Sequence, residues 1–192
     1  MFEKLSANSM CNSSLIRSSG HVEKAEAHGH YDVVCRDALG NIKWQDTIDN
    51  VVCTLGKNLA LDAYLAGAAY TVTGPYMGLV SSVSWSAVAA ADTMASHAGW
   101  EEAGITNAPT YTLRKTCAWA AASAGAKALS AALAFTMTGA GTVKGCFIVL
   151  GTGAVATVDN TSGTLYSVGV FTGGDKVVAA TDVLNVSYTA SL

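Results

Sequence analysis

The sequence is most unusual for what it has little of. Lys, Arg, Asp and Glu together make up 13% of its 192 residues, about half of the ~25% typical of globular domains. Ala, Gly, Ser and Thr fill the gap, which predicts a surface that is small, neutral and weakly hydrated. Such a surface is cheap to bury against another protein, because few charges have to be desolvated. Proline is also scarce: Pro75 and Pro109 are the only two, and no polar low-complexity run marks a linker. One domain with a tail is therefore predicted, an extended N-terminal arm over residues 1–28 and a single β-rich domain over 29–192. No apolar run approaches the ~20 residues of a membrane-spanning helix, so no membrane partner is expected. The opening MFEKLSANSMCNSSLIRSS lacks an apolar h-region, so it does not read as a signal peptide, and a cytoplasmic place of assembly is expected. A formal net charge of −3 with pI near 5.7 gives no basic field, which argues against direct contact with nucleic acid. The five cysteines, Cys11, Cys35, Cys53, Cys117 and Cys146, are odd in number and include no CxxC pair. They read as free thiols that pack as small hydrophobes.

The missing charge is not spread evenly. From Cys117 onward the charged side chains are Lys127, Lys144, Asp159, Asp175, Lys176 and Asp182, six in 76 residues. The N-terminal third carries many more.

Along the chain the signals are mostly those of β structure. In residues 1–28 only Phe2, Leu5, Met10, Leu15 and Ile16 could anchor an arm. HYDVVCR, residues 30–36, reads as a strand and DALGN, 37–41, as a turn. Residues 42–54 read as the return strand of a hairpin, bulged near Asp49-Asn50. One helix is predicted over residues 57–65, where Leu61, Tyr64 and Leu65 form an apolar face that should pack on a sheet. Further strands are predicted at 76–83, 117–122, 129–138, 142–150, 165–171 and 183–188. A loose helical turn is predicted at 89–97, with Asp92 as its cap. With no βαβ alternation, the fold class is mainly β: an antiparallel β-sandwich or jelly roll with one short helix.

Few residues suggest chemistry. His28 and His30 share a strand face near Asp32, but no third ligand is fixed by spacing, so a solvated or interface pair is expected and no metal site. His97, beside Gly99 and Trp100, reads as a packing or capping residue. Glu101 and Glu102 are adjacent and would point apart on a strand, so they form no general acid/base pair. Asp46 and Asp49 are expected to solvate the hairpin. The glycine-rich GAGTVK, residues 139–144, leads into a strand and not a helix, so it is a turn and not a phosphate loop. No serine has a recognisable histidine partner. No catalytic residue and no cofactor are expected, and the chain does not read as an enzyme. Of the four tryptophans, Trp85 and Trp100 lie in the least regular region. With Phe2, Leu5, Leu15 and Ile16 of the arm they are the candidate interface anchors.

Several ordered segments carry a resemblance. GNIKWQDTIDNVV, LGKNLALDAYLAG, YMGLVSSV, AAADTMASHAGWEE and the terminal GTLYSVGVFTGGDKVVAATDVLNVSYTASL resemble virion structural proteins of tailed bacteriophages, most of all capsid cement or decoration proteins. The resemblance spans roughly residues 30–192 and leaves the arm unmatched. It implies a non-enzymatic protein that stabilises the capsid shell, with the major capsid protein and copies of itself as partners. It also implies a homo-oligomer, located in the virion after assembly in the host bacterial cytoplasm. A tail component, such as a fibre, adaptor or tail-associated protein, is the alternative, and a carbohydrate- or receptor-binding β module ranks below both.

Overall fold

A computed structural model describes residues 26–65 and 73–191, without the side chain of Tyr64. Its strands are β1 His28–Arg36, β2 Ile42–Val52, β3 Tyr76–Ser81, β4 Lys115–Thr116, β5 Ala126–Ala128, β6 Leu133–Thr136, β7 Gly141–Leu150, β8 Thr164–Phe171, β9 Lys176–Val178 and β10 Val183–Ser191, with one helix, α1 Thr54–Leu65. All pairings are antiparallel, in the order β4-β3-β7-β8-β2-β1-β10-β5, with β6 joined to β10 and β9 to β7. The mainly β, antiparallel class with one short helix is thus as the sequence predicts, and the ladder is continuous and curls into a half-barrel.

The curl explains the burial patterns. In β1 the side chains of Tyr31, Val33 and Cys35 are buried while His28, His30, Asp32 and Arg36 face solvent, the period-2 pattern of a sheet wet on one side. Those buried residues join Ile48, Met77, Leu79, Cys146, Ile148, Phe171, Leu184, Val186 and Tyr188 in one core. Strands from across the sheet meet there, which places this cluster inside the curl. β3, β7 and β8 are buried on both faces. Their outward residues Val80, Phe147, Val149, Leu165 and Val168 pack against Cys53, Met94 and Trp100 in a second cluster. The loop from Ser82 to Ala103 is therefore a lid on the outer face of the central strands, and this accounts for the nearly unbroken apolar run of β3.

The hairpin forms as its turn residues dictate. Asp37 Oδ1 accepts the backbone N–H groups of Leu39 and Asn41, and Gly40 supplies a φ of 87° that a residue with a side chain adopts only under strain. The bulge, however, is at Lys43 and not at Asp49-Asn50. Cys35 pairs with Trp44 and Arg36 with Ile42, whereas the ladder runs unbroken from His30–Asp49 to Cys35–Trp44. Three other expectations are corrected. Residues 117–122 form no strand beyond a single bridge between Trp119 and Leu129. Residues 89–97 contain no helical turn, because the Asp92 carboxylate accepts from the Ala89 N–H and the Trp100 indole instead of capping a helix. The helix begins at Thr54 and turns away from its predicted packing: Leu61 is 57% and Leu65 79% exposed. It rests on the sheet through Gly56, where a Cβ would lie 2.5 Å from the Tyr166 carbonyl oxygen. β4, β5 and β9 were not foreseen.

Candidate interaction surface

Trp100 is 1% exposed. Its indole N–H donates to Asp92 at 3.0 Å, its ring stacks on His97 at 4.0 Å, and it meets Phe147 at 5.3 Å. The expectation that Trp100 anchors an interface is therefore corrected: it seals the second core cluster. His97 holds the position predicted for it, donating from Nδ1 to the Trp100 carbonyl at 2.8 Å. Trp85 is half-buried at the edge of the same cluster, with the Lys144 ammonium 5.0 Å from its ring centroid. Phe2, Leu5, Leu15 and Ile16 lie outside the described residues, as does the arm up to residue 25. His28, the last residue of the predicted arm, already belongs to β1.

The sparse charges of the C-terminal part are committed within the chain. Lys144 pairs with Asp175 at 2.5 Å and Lys176 with Asp46 at 2.6 Å. Asp182 pairs with Lys43 and accepts the Ala179 N–H. Asp159 accepts from the N–H and hydroxyl of Thr106, and Lys127 donates to the Ala120 carbonyl. Every charged side chain between residues 117 and 191 thus has a partner of its own. Asp46 is a correction: it does not solvate the hairpin but sits 9% exposed, accepting from Thr47, Thr172 and Gly173 as well as Lys176. Burial works to raise its carboxyl, and the Lys176 contact with the other donors outweighs that, holding it below the usual carboxylate value.

One ion pair is deeply buried. Arg114 donates from Nε and Nη2 to Glu102 at 2.8 and 2.6 Å. The same carboxylate accepts from the Tyr111 hydroxyl and the Asp159 N–H. Arg114 also donates to the carbonyls of Val155 and Asn160, so one cation clips three loops together. Burial pushes the Glu102 carboxyl up despite Arg114. Glu101, its neighbour, is exposed, and the two side chains point apart as the sequence predicts. Beside the pair opens a cleft of about 140 Å³, whose lining includes Met94, His97, Glu101, Thr106, Asp159 and Asn160. The sequence offered no local sign of this pair, since Arg114 reaches its partners only through loops that tertiary structure brings together.

On the outer face of β1, His28 and His30 are exposed on the same side, as their spacing requires. His30 Nδ1 lies 2.8 Å from Asp49 and Nε2 3.5 Å from Asp32. Its hydrogen bond to Asp49 raises the imidazole above its ordinary value. Among the described residues no group of three His, Cys, Asp or Glu side chains is placed to hold a metal ion. The four described cysteines are buried and free. Burial pushes the Cys117 thiol up to about 12 and those of Cys35 and Cys53 up to about 11, which leaves them un-ionised packing groups.

No protein-family model, curated protein or solved structure matches the chain.

Proposed function

We propose that this chain is a structural protein of a tailed-bacteriophage particle, binding and stabilising the capsid shell as a cement or decoration protein. The observation that carries this reading is the internal commitment of the charges between residues 117 and 191. A surface whose few charges are already paired loses little hydration when a protein covers it. A shell offers many fixed copies of one site, so modest contacts of this kind suffice when the bound copies also touch one another. The resemblance of residues 30–192 to phage virion proteins supports the same assignment. Major capsid protein and further copies of the chain are the proposed partners.

Quantitative gel densitometry of purified particles tests the reading. A copy number comparable to that of the major shell protein is expected, whereas a number matching a tail ring or fibre would transfer the chain to the tail. Because paired charges contribute little to contact, binding to shells should weaken only slightly as salt is raised. A steep loss of binding with salt would show that exposed charges carry the contact.

A further inference from the structure

Helix α1 is the least explained element of the fold. Leu55, Leu61 and Leu65 are all exposed, and Leu61 and Leu65 fall four residues apart on one helix face. The helix touches the sheet on the opposite side, where Gly56 meets Tyr166.

Two observations bear on what covers this helix. β1 begins there: His30 pairs with Asp49, so His28 enters the sheet beside the last residues of β2, and β2 passes into α1 two residues later. The 25 residues before Glu26 therefore join the fold at the same end of the sheet as the start of α1. Fully extended, that length spans up to ~80 Å, against the ~18 Å of a helix of twelve residues, so reach is not limiting. In addition, residues 1–25 carry the apolar side chains of Phe2, Leu5, Met10, Leu15, Ile16 and Val22, the first five set among Ser and Asn, a spacing that fits a narrow apolar stripe.

We propose that the exposed stripe of α1, Leu55, Leu61 and Leu65, is the docking site of the chain's own residues 1–25. This inference is independent of the phage assignment and holds whatever the partner of the rest of the surface.

Cys11 supplies the probe, because the four other cysteines are buried. A nitroxide attached to Cys11 of the full chain, under conditions that leave the fold intact, should broaden the amide signals of Thr54–Leu65. Those of the hairpin turn Asp37–Asn41, at the opposite end of the sheet, should be several-fold less affected. The pair Leu61→Ser and Leu65→Ser should relieve the broadening while the circular dichroism of the sheet is unchanged. Equal broadening at both ends, or none at α1, overturns the proposal. So does broadening that appears only when spin-labelled and isotope-labelled copies are mixed, since the occupant is then a second copy.

Discussion

At the scale of single residues, two tryptophans that look alike in sequence have different work. Trp100 fills the second cluster and its indole N–H is satisfied by Asp92, so Trp100→Ala should cost about 3–5 kcal/mol by cavity formation. Trp85 is half-buried under the Lys144 ammonium, and its replacement by Ala should cost about 1–2 kcal/mol, mostly lost contact and cation–π attraction. Urea denaturation of the two variants, compared at equal slope, checks the difference. His30 is a second residue-scale case. Its pKa is raised by Asp49, with Asp32 also contributing. The stability it adds is fully present below the unfolded value of about 6.5 and fades as pH rises through the folded value. NMR titration should find His30 above 6.5 in the intact chain, and Asp49→Asn should lower it. An unshifted midpoint in that variant would remove Asp49 as the cause.

Among the elements, α1 shows how one contact fixes an orientation. An Ala for Gly exchange inside a helix ordinarily adds about 1 kcal/mol of stability. Here the added Cβ would meet the Tyr166 carbonyl oxygen at 2.5 Å and its Cα at 2.9 Å, both backbone atoms of a central strand. Gly56→Ala should therefore destabilise, by about 1–3 kcal/mol, and lift α1 from β8. Thermal unfolding followed by circular dichroism reads the first effect. Faster amide exchange at Lys57 and Leu59, without change in β10, reads the second.

Across the whole molecule, the Glu102–Arg114 pair links the 99–114 loops to the 151–160 loop. Arg114→Met leaves a carboxyl buried without its cation, which should cost about 3–5 kcal/mol. Adding Glu102→Gln to that variant should recover much of the loss, as a double-mutant cycle would show. The single variant should also show a steeper pH dependence. Burial holds the Glu102 carboxyl above its ordinary value of 4.5, and without Arg114 that effect grows. The folded variant then keeps a proton that the unfolded chain releases, so its stability falls as pH rises from about 4.5 through the folded value. Unfolding free energies measured across that range check the sign; a stability that rises with pH would contradict it.

Much of this was legible in the chain itself. The hairpin of β1 and β2 follows from alternation and from DALGN, whose Asp and Gly do what those residues do in isolation. The both-sides burial of β3 and of the later part of β7 accords with the apolar runs Met77–Val80 and Cys146–Val149, and the pointing apart of Glu101 and Glu102 follows from a period of two. The low charge is likewise a property of composition, and it bounds what the surface can bind. Tertiary structure decided the rest, because those features depend on partners far away in sequence. Trp100 is core and not contact since the 82–103 loop folds over β7. Asp46 is buried because Lys176, 130 positions along, meets it across the curl, and α1 shows its leucines to solvent because only glycine at residue 56 lets the helix back approach Tyr166 so closely. Composition determined that few charges exist; only the fold determined that those of the C-terminal part would be paired within the chain, leaving a surface that other protein can cover at little cost in hydration.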